Sequence, residues 1–164
     1  WAVEDAFSMR TVSSPLLAGG LIYGSTGSGA GGNYLVGIQP GKNAEVAVKI
    51  DRQAPYVPTS VARGDLLFLW YDKGIATCID ARDGTIHWRE RLDTAFSGSP
   101  IRVGDRMFCM DEAGMVWVLA AEKQFKVLGK YPLGEESRST PAVSGGQMFL
   151  RTNSQLFAVG AKSL

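Results

Sequence analysis

The chain repeats one short phrase about every 40 residues, and this period constrains its fold more than any other feature. Ser14-Pro15-Leu16-Leu17, Thr59-Ser60-Val61-Ala62, Ser99-Pro100-Ile101-Arg102 and Thr140-Pro141-Ala142-Val143 are its four versions. Pro15 to Ser60 is 45 positions, Ser60 to Pro100 is 40, and Pro100 to Pro141 is 41. A fixed period of this size marks a row of supersecondary units, none of which buries its apolar face alone. Each phrase is followed by a turn pair: Gly19-Gly20, Gly64-Asp65, Gly104-Asp105 and Gly145-Gly146. Glycine supplies the positive φ that tight hairpin turns need.

The second unit reads most clearly. After the short strand at 59–62, Leu66-Leu67-Phe68-Leu69-Trp70-Tyr71 is an apolar run of strand length, the pattern of a strand covered on both faces. Asp72-Lys73-Gly74 turns the chain into a third strand at 75–80, and Asp83-Gly84 turns it into a fourth at 85–91. In that last strand Ile86 and Trp88 alternate with Thr85, His87 and Arg89, as expected of an outer strand with one wet face. The third unit predicts strands at 100–103, 106–110, 115–120 and 125–131. The first predicts them at 15–18, 21–25, 34–39 and 44–51, and the fourth has three, at 141–143, 147–151 and 155–159. No stretch of 10 or more residues keeps a 3.6 period free of turn pairs, so the fold class is all-β. Four antiparallel strands per unit at this period make one blade of a β-propeller.

The predicted blades span 13–57, 58–97 and 98–137, with an incomplete last blade at 138–164. Trp1 lies 14 residues before Pro15, much as Trp88 lies 12 before Pro100. Residues 1–12 are therefore expected to supply the outer strand of a preceding or closing blade. The whole is expected to be half, or the carboxyl-terminal part, of a larger ring.

Charge and cysteine content narrow the function classes. Lys plus Arg number 17 and Asp plus Glu 16, a net charge of +1, which gives no basic stripe for nucleic acid. No apolar run approaches the roughly 18 residues of a transmembrane helix. The sequence shows no signal peptide and begins at Trp1 rather than Met. Cys78 and Cys109 are too few for a disulfide framework and are read as buried free thiols.

Ile79-Asp80-Ala81-Arg82-Asp83-Gly84-Thr85-Ile86-His87-Trp88 closely resembles the Asp-Ala-x-x-Gly-x-x-x-Trp stretch of PQQ-like, quinoprotein-type β-propeller repeats. Asp80, Gly84 and Trp88 carry that signature, with Trp1 as a second copy of its tryptophan. The ending from Ser139 to Gly160 is similar to the carboxyl end of bacterial members, among them relatives of the lipoprotein of outer-membrane β-barrel assembly. The first unit has Gly37-Ile38-Gln39-Pro40-Gly41 in place of the signature, and the third has Ala120-Ala121-Glu122-Lys123, with Val127 where the tryptophan is expected. The resemblance implies rings of seven or eight blades, a periplasmic or cell-envelope location in a bacterium, and PQQ as the family's cofactor.

Candidate chemistry is sparse. Gly27-Ser28-Gly29-Ala30-Gly31-Gly32 fits G-x-G-x-x-G, yet strand rather than helix follows, so no helix N-terminus faces a pyrophosphate. It is read as a flexible hairpin insertion, with Gly29 and Asn33 as candidate partner-surface residues. His87, the single histidine, is read as solvated. Trp70, Trp88 and Trp117 are read as blade packing rather than a stack on a quinone. Asp72, Asp80, Asp83, Asp111 and Glu112 are read as turn residues. Quinoprotein dehydrogenases resemble one another in an adjacent Cys-Cys pair and calcium-binding acids, which Cys78 and Cys109 do not reproduce. Tyr56, Phe96 and Arg138, in connections between blades, and Arg102, in an inner strand, complete the candidate partner surface.

The expectation is a noncatalytic propeller scaffold for protein–protein interaction, without cofactor or metal, completed by a protein partner or a second copy. A remnant of a quinone-dependent dehydrogenase and a small-ligand or glycan binder are the alternatives.

Overall fold

The computed structural model describes residues 1–28 and 30–160. Among them are fifteen strands and no helix, arranged as four antiparallel sheets. The first sheet runs β1 (Leu16–Ala18), β2 (Leu21–Ser28), β3 (Gly31–Gln39), β4 (Glu45–Ile50). The second runs β5 (Val61–Arg63), β6 (Leu66–Tyr71), β7 (Ile75–Asp80), β8 (Ile86–Arg91). The third is β9 (Ile101–Val103), β10 (Arg106–Met110), β11 (Met115–Ala120) and β12 (Val127–Pro132). The fourth has β13 (Ala142–Ser144), β14 (Gln147–Arg151) and β15 (Leu156–Gly160). Each sheet is an up-and-down meander, so the four predicted blades are present, the last with three strands.

Side-chain alternation explains the apolar runs. In β6, Leu67 and Leu69 pack with Tyr23, Leu35 and Val48 of the first blade. Phe68 and Trp70 belong instead to the cluster that holds Met107, Cys109, Trp117 and Leu119 of the third. A blade sandwiched between neighbours must be apolar on both faces, and all six residues of β7 are buried. Burying each large side chain contributes about 1.5–3 kcal/mol. Cys78 and Cys109 are free and buried within this packing. Burial raises the Cys78 thiol to about 12 and pushes the Cys109 thiol well above its ordinary value.

The repeated opening phrase has a bonding role. The Ser14 N–H donates to Thr59 Oγ1 at 3.0 Å, Thr59 N–H to Ser99 Oγ at 2.9 Å, and Ser99 N–H to Thr140 Oγ1 at 2.9 Å. One hydroxyl per unit thus links the start of each blade to the start of the next.

The signature stretch of the second blade is a docking device. Asp80 accepts from the Arg82 N–H at 3.0 Å, Nε at 2.8 Å and Nη2 at 2.6 Å, which folds the turn back on itself. Ala81 is fully buried, and its carbonyl accepts from Tyr23 Oη of the first blade at 2.8 Å. Gly84 has φ +79°, and a Cβ there would lie 2.6 Å from Val48 Cγ1 of the first blade. Trp88 points the other way: its Nε1 donates to the Glu122 carbonyl at 3.0 Å and its ring meets Phe125 at 5.2 Å, both in the third blade. The motif thus grips one neighbour with its turn and the other with its tryptophan.

Asp80 also makes the fold acid-sensitive. The Arg82 side chain, then the Arg82 backbone N–H, hold its carboxyl far below the usual carboxylate range. The folded value is depressed, so the stabilisation is complete above the unfolded value of about 3.9 and is lost as pH falls through the folded value. Thermal melts between pH 5 and pH 2 check this: Asp80→Asn is expected to show a shallower fall in Tm than the unsubstituted chain.

Three sequence expectations need correction. Residues 1–9 form no strand; Arg10 makes one isolated bridge to Gly27, and Trp1 is 68% exposed. The segment turns at Asp5, whose φ is 58°, and then lies on the first sheet, where Ser8 N–H donates to Tyr34 Oη at 2.7 Å. Those side-chain anchors, rather than ladder pairing, satisfy it. His87 is half-buried rather than solvated, and its Nε2 is shielded from solvent without a hydrogen-bond partner. A bulge opposite Cys78 and Ile79 seats His87 as the extra residue, so strict alternation fails there. On either side of Gly29 the described residues extend the β2–β3 ladder, with Ser28 paired to Gly31.

Candidate interaction face

A four-stranded meander places its turns alternately at two ends. The first–second and third–fourth turns share one end of each blade. The second–third hairpins and the connectors to the next blade share the other. Tyr56, Phe96 and Arg138 lie in connectors, and Asn33 lies beside the β2–β3 hairpin, so topology assigns these four to one face.

A belt of hydrogen bonds holds this face. The connector leaving the second blade donates Phe96 N–H to the Asp72 carbonyl at 2.9 Å and accepts on the Ala95 carbonyl from Glu112 N–H at 2.8 Å. The next connector repeats this, with Ser137 N–H to the Glu112 carbonyl at 3.3 Å and Asn153 N–H to the Glu136 carbonyl at 3.0 Å. Each of these two connectors therefore bonds the hairpin of the blade it leaves and of the blade it enters.

Acidic side chains reinforce the belt. Asp72 accepts from Tyr56 N–H at 2.7 Å and Val57 N–H at 3.0 Å. Asp111 is buried and accepts from Trp117 Nε1 at 2.9 Å, Thr94 Oγ1 at 2.9 Å and Met115 N–H at 2.8 Å. Glu112 accepts from Ser97 Oγ and lies 3.6 Å from Arg138 Nη2. Glu135 accepts from Thr152 Oγ1, from Ser154 N–H at 2.8 Å and from Ser154 Oγ at 2.7 Å, and these bonds, Thr152 first, lower its carboxyl from the ordinary value. Sequence reasoning placed Asp72, Asp111 and Glu112 at turns but missed that they tie one blade to the next. Recurrence of an acid or hydroxyl just after the second strand of the second, third and fourth blades, at Asp72, Asp111 and Thr152, was the available signal.

The candidate surface residues divide. Arg138 is exposed, and its side chain stands 72% free beside Glu112. Tyr56 is half-buried, next to the exposed Val57. Phe96 is buried and meets Trp70 edge-on at 6.2 Å, so it belongs to the core; its connector dips inward to seat it. Asn33 is buried in β3, where its Oδ1 accepts from Ser28 N–H at 3.2 Å, so it fastens the hairpin and is no surface residue. Gly29 lies outside the described residues. Arg102 bonds the Ala62 carbonyl at 3.0 Å, joining β9 to the neighbouring β5.

The residues present do not fit a pyrroloquinoline quinone. Trp70, Trp88 and Trp117 are buried between blades with no face free to stack on it. The two thiols sit in different sheets. Among the described residues no three of His, Cys, Asp and Glu are grouped to hold a metal ion. No helix among them is long and apolar enough to cross a membrane.

A family model described as outer membrane protein assembly factor BamB matches residues 45–163. The chain belongs to the BamB family. The fold agrees: BamB from Moraxella catarrhalis superposes with a TM-score of 0.75 at 13% identity, over 94% of this chain and 49% of that one. The chain thus spans about half the length of the BamB structure it matches. A europium-containing methanol dehydrogenase matches at 0.59 and 14% identity, over 71% of this chain and 23% of that chain. The quinohemoprotein alcohol dehydrogenase of Comamonas testosteroni gives 0.61 and 13%, over 75% and 21%. These identities speak for the propeller fold alone. No curated protein matches in sequence.

Proposed function

We propose that the chain is part of a noncatalytic propeller scaffold of the bacterial cell envelope, one that binds a protein partner through the connector face. The observation that carries this reading is the hydrogen-bonded belt. It fixes the connectors of successive blades on one face, with Arg138, Tyr56 and Val57 outward. A rigid presentation of loops lowers the ordering cost of association. The family's description supports a partner among the components of outer-membrane protein assembly. The 49% coverage of the BamB structure supports reading the four blades as part of a larger ring, completed by further blades or a second copy. The scaffold works without quinone or metal on this reading.

Site-specific photo-crosslinking tests it. A crosslinker at position 138 or 56 is expected to capture a discrete envelope protein, and one at Arg106, beside the opposite turn, is expected to capture none. Equal capture from both ends, or none from 138 and 56, overturns the connector face. Dye-linked alcohol oxidation after addition of pyrroloquinoline quinone and calcium overturns the noncatalytic reading.

A further inference from the structure

The seam between the third and fourth blades holds an apolar cavity of about 320 Å³, lined by Phe108, Val116, Val118, Tyr131, Leu133, Met148, Leu150 and Val159. Its origin lies in register. Phe68 faces Cys78, which faces Trp88; in the third blade Phe108 faces Val118, which faces Gly129. Gly129, not Val127, therefore stands where Trp88 stands. Both outer strands carry a bulge at this point, but the third blade's turn is one residue longer: Asp80 N–H bonds the Thr85 carbonyl, and Ala120 N–H bonds the Lys126 carbonyl.

The two seams match position for position. Phe68 and Phe108, Ala76 and Val116, Cys78 and Val118 are equivalent on one wall. Met107 and Met148, Cys109 and Leu150, Leu119 and Val159 are equivalent on the other. In the seam between the second and third blades an indole fills the space between the walls, with Phe68 at 6.1 Å and Phe125 at 5.2 Å from it. At the next seam the walls are kept and that side chain is gone. Tyr131 bends over the gap, its Oη 2.7 Å from where a Gly129 Cβ would lie, and remains 59% exposed.

We propose that this cavity is a binding site for one small, uncharged aromatic molecule of indole size, seated where Trp88 sits in the preceding seam. The proposal stands independently of the scaffold reading. Apolar pockets accept aromatic rings of matching shape, and this one, open to solvent beside the exposed Tyr131 and Val159, lies near the lower end of the range for ligand sites, about 300–1,000 Å³. The lining is aliphatic, aromatic or methionine throughout, which selects against charged ligands.

Indole is the probe. Titration into the purified chain, followed by methyl NMR, is expected to shift the Val116, Val118, Met148, Leu150 and Val159 signals saturably, with nuclear Overhauser contacts from the ring to them. Gly129→Trp supplies the indole in cis. The obstacle to its Cβ is the flexible end of Tyr131, so the chain should fold. It is expected to weaken indole binding by at least about tenfold. The Overhauser contacts decide the matter in the unsubstituted chain even if that variant fails to fold. Unchanged methyl signals overturn the proposal, whether Tyr131 or a second copy fills the gap, and so does equal indole binding by Gly129→Trp.

Discussion

Replacing Asp111 by alanine is expected to lower the unfolding free energy by about 3–5 kcal/mol, since three hydrogen bonds to a buried carboxylate are lost together. The carboxylate gathers donors from three directions: the Trp117 indole across its own hairpin, the Thr94 hydroxyl from the incoming connector, and the Met115 amide within the turn. Alanine leaves these buried donors without acceptors, at about 1–3 kcal/mol for each unsatisfied group. Asp111→Asn keeps one side-chain oxygen as an acceptor and is expected to cost less. Urea denaturation measures both; a loss below about 1 kcal/mol for the alanine variant would show that the surrounding groups find other partners.

Trp88→Ala is expected to cost about 3–5 kcal/mol, since it removes a large buried aromatic and leaves a cavity between two walls that cannot fully collapse. It also strands the Glu122 carbonyl that accepts from the indole nitrogen. The variant would reproduce at this seam the arrangement that Gly129 makes at the next one. It should therefore gain a second indole site, visible at Ala76 and Leu119 by methyl NMR. A destabilisation below about 1.5 kcal/mol would mean that Phe68 and Phe125 close over the gap, and the second site would then be absent.

Much of the architecture was readable because its causes are local. Turn glycines, opening hydroxyls and apolar runs such as Leu66–Tyr71 each act within a few residues, and they place all fifteen strands to within a few positions. Departures arise where pairing geometry overrides spacing. The bulge in β8 turns His87 inward, and the longer turn before β12 moves the tryptophan position from Val127 to Gly129. Both depend on which residues pair across the strands, which residue type alone does not show. Trp1 carries the residue type of an outer strand, yet residues 1–9 form no strand. The connector position of Arg138 and Tyr56 was legible because turn signals bracket the strands on either side. Phe96 and Asn33 were misread because loop position says nothing about which way a side chain turns. The acid ties of Asp111 and Glu112 join residues 15 to 17 apart across a seam, so the recurring acid marks the position while its partner is set by the packing of the blades.

The links from Ser14 to Thr59, Ser99 and Thr140 all run in one direction, each unit giving an amide proton forward and offering a hydroxyl backward. A copy of the segment from 58 to 97 inserted after itself would meet the hydroxyl of its successor and present its own to its predecessor. Such an insertion leaves every donor and acceptor in the series matched. Duplication or deletion of one whole unit is therefore neutral at these contacts, whereas a cut within a unit orphans a group on either side. The series acts as a grammar of whole words, matched at these links whatever the number of units.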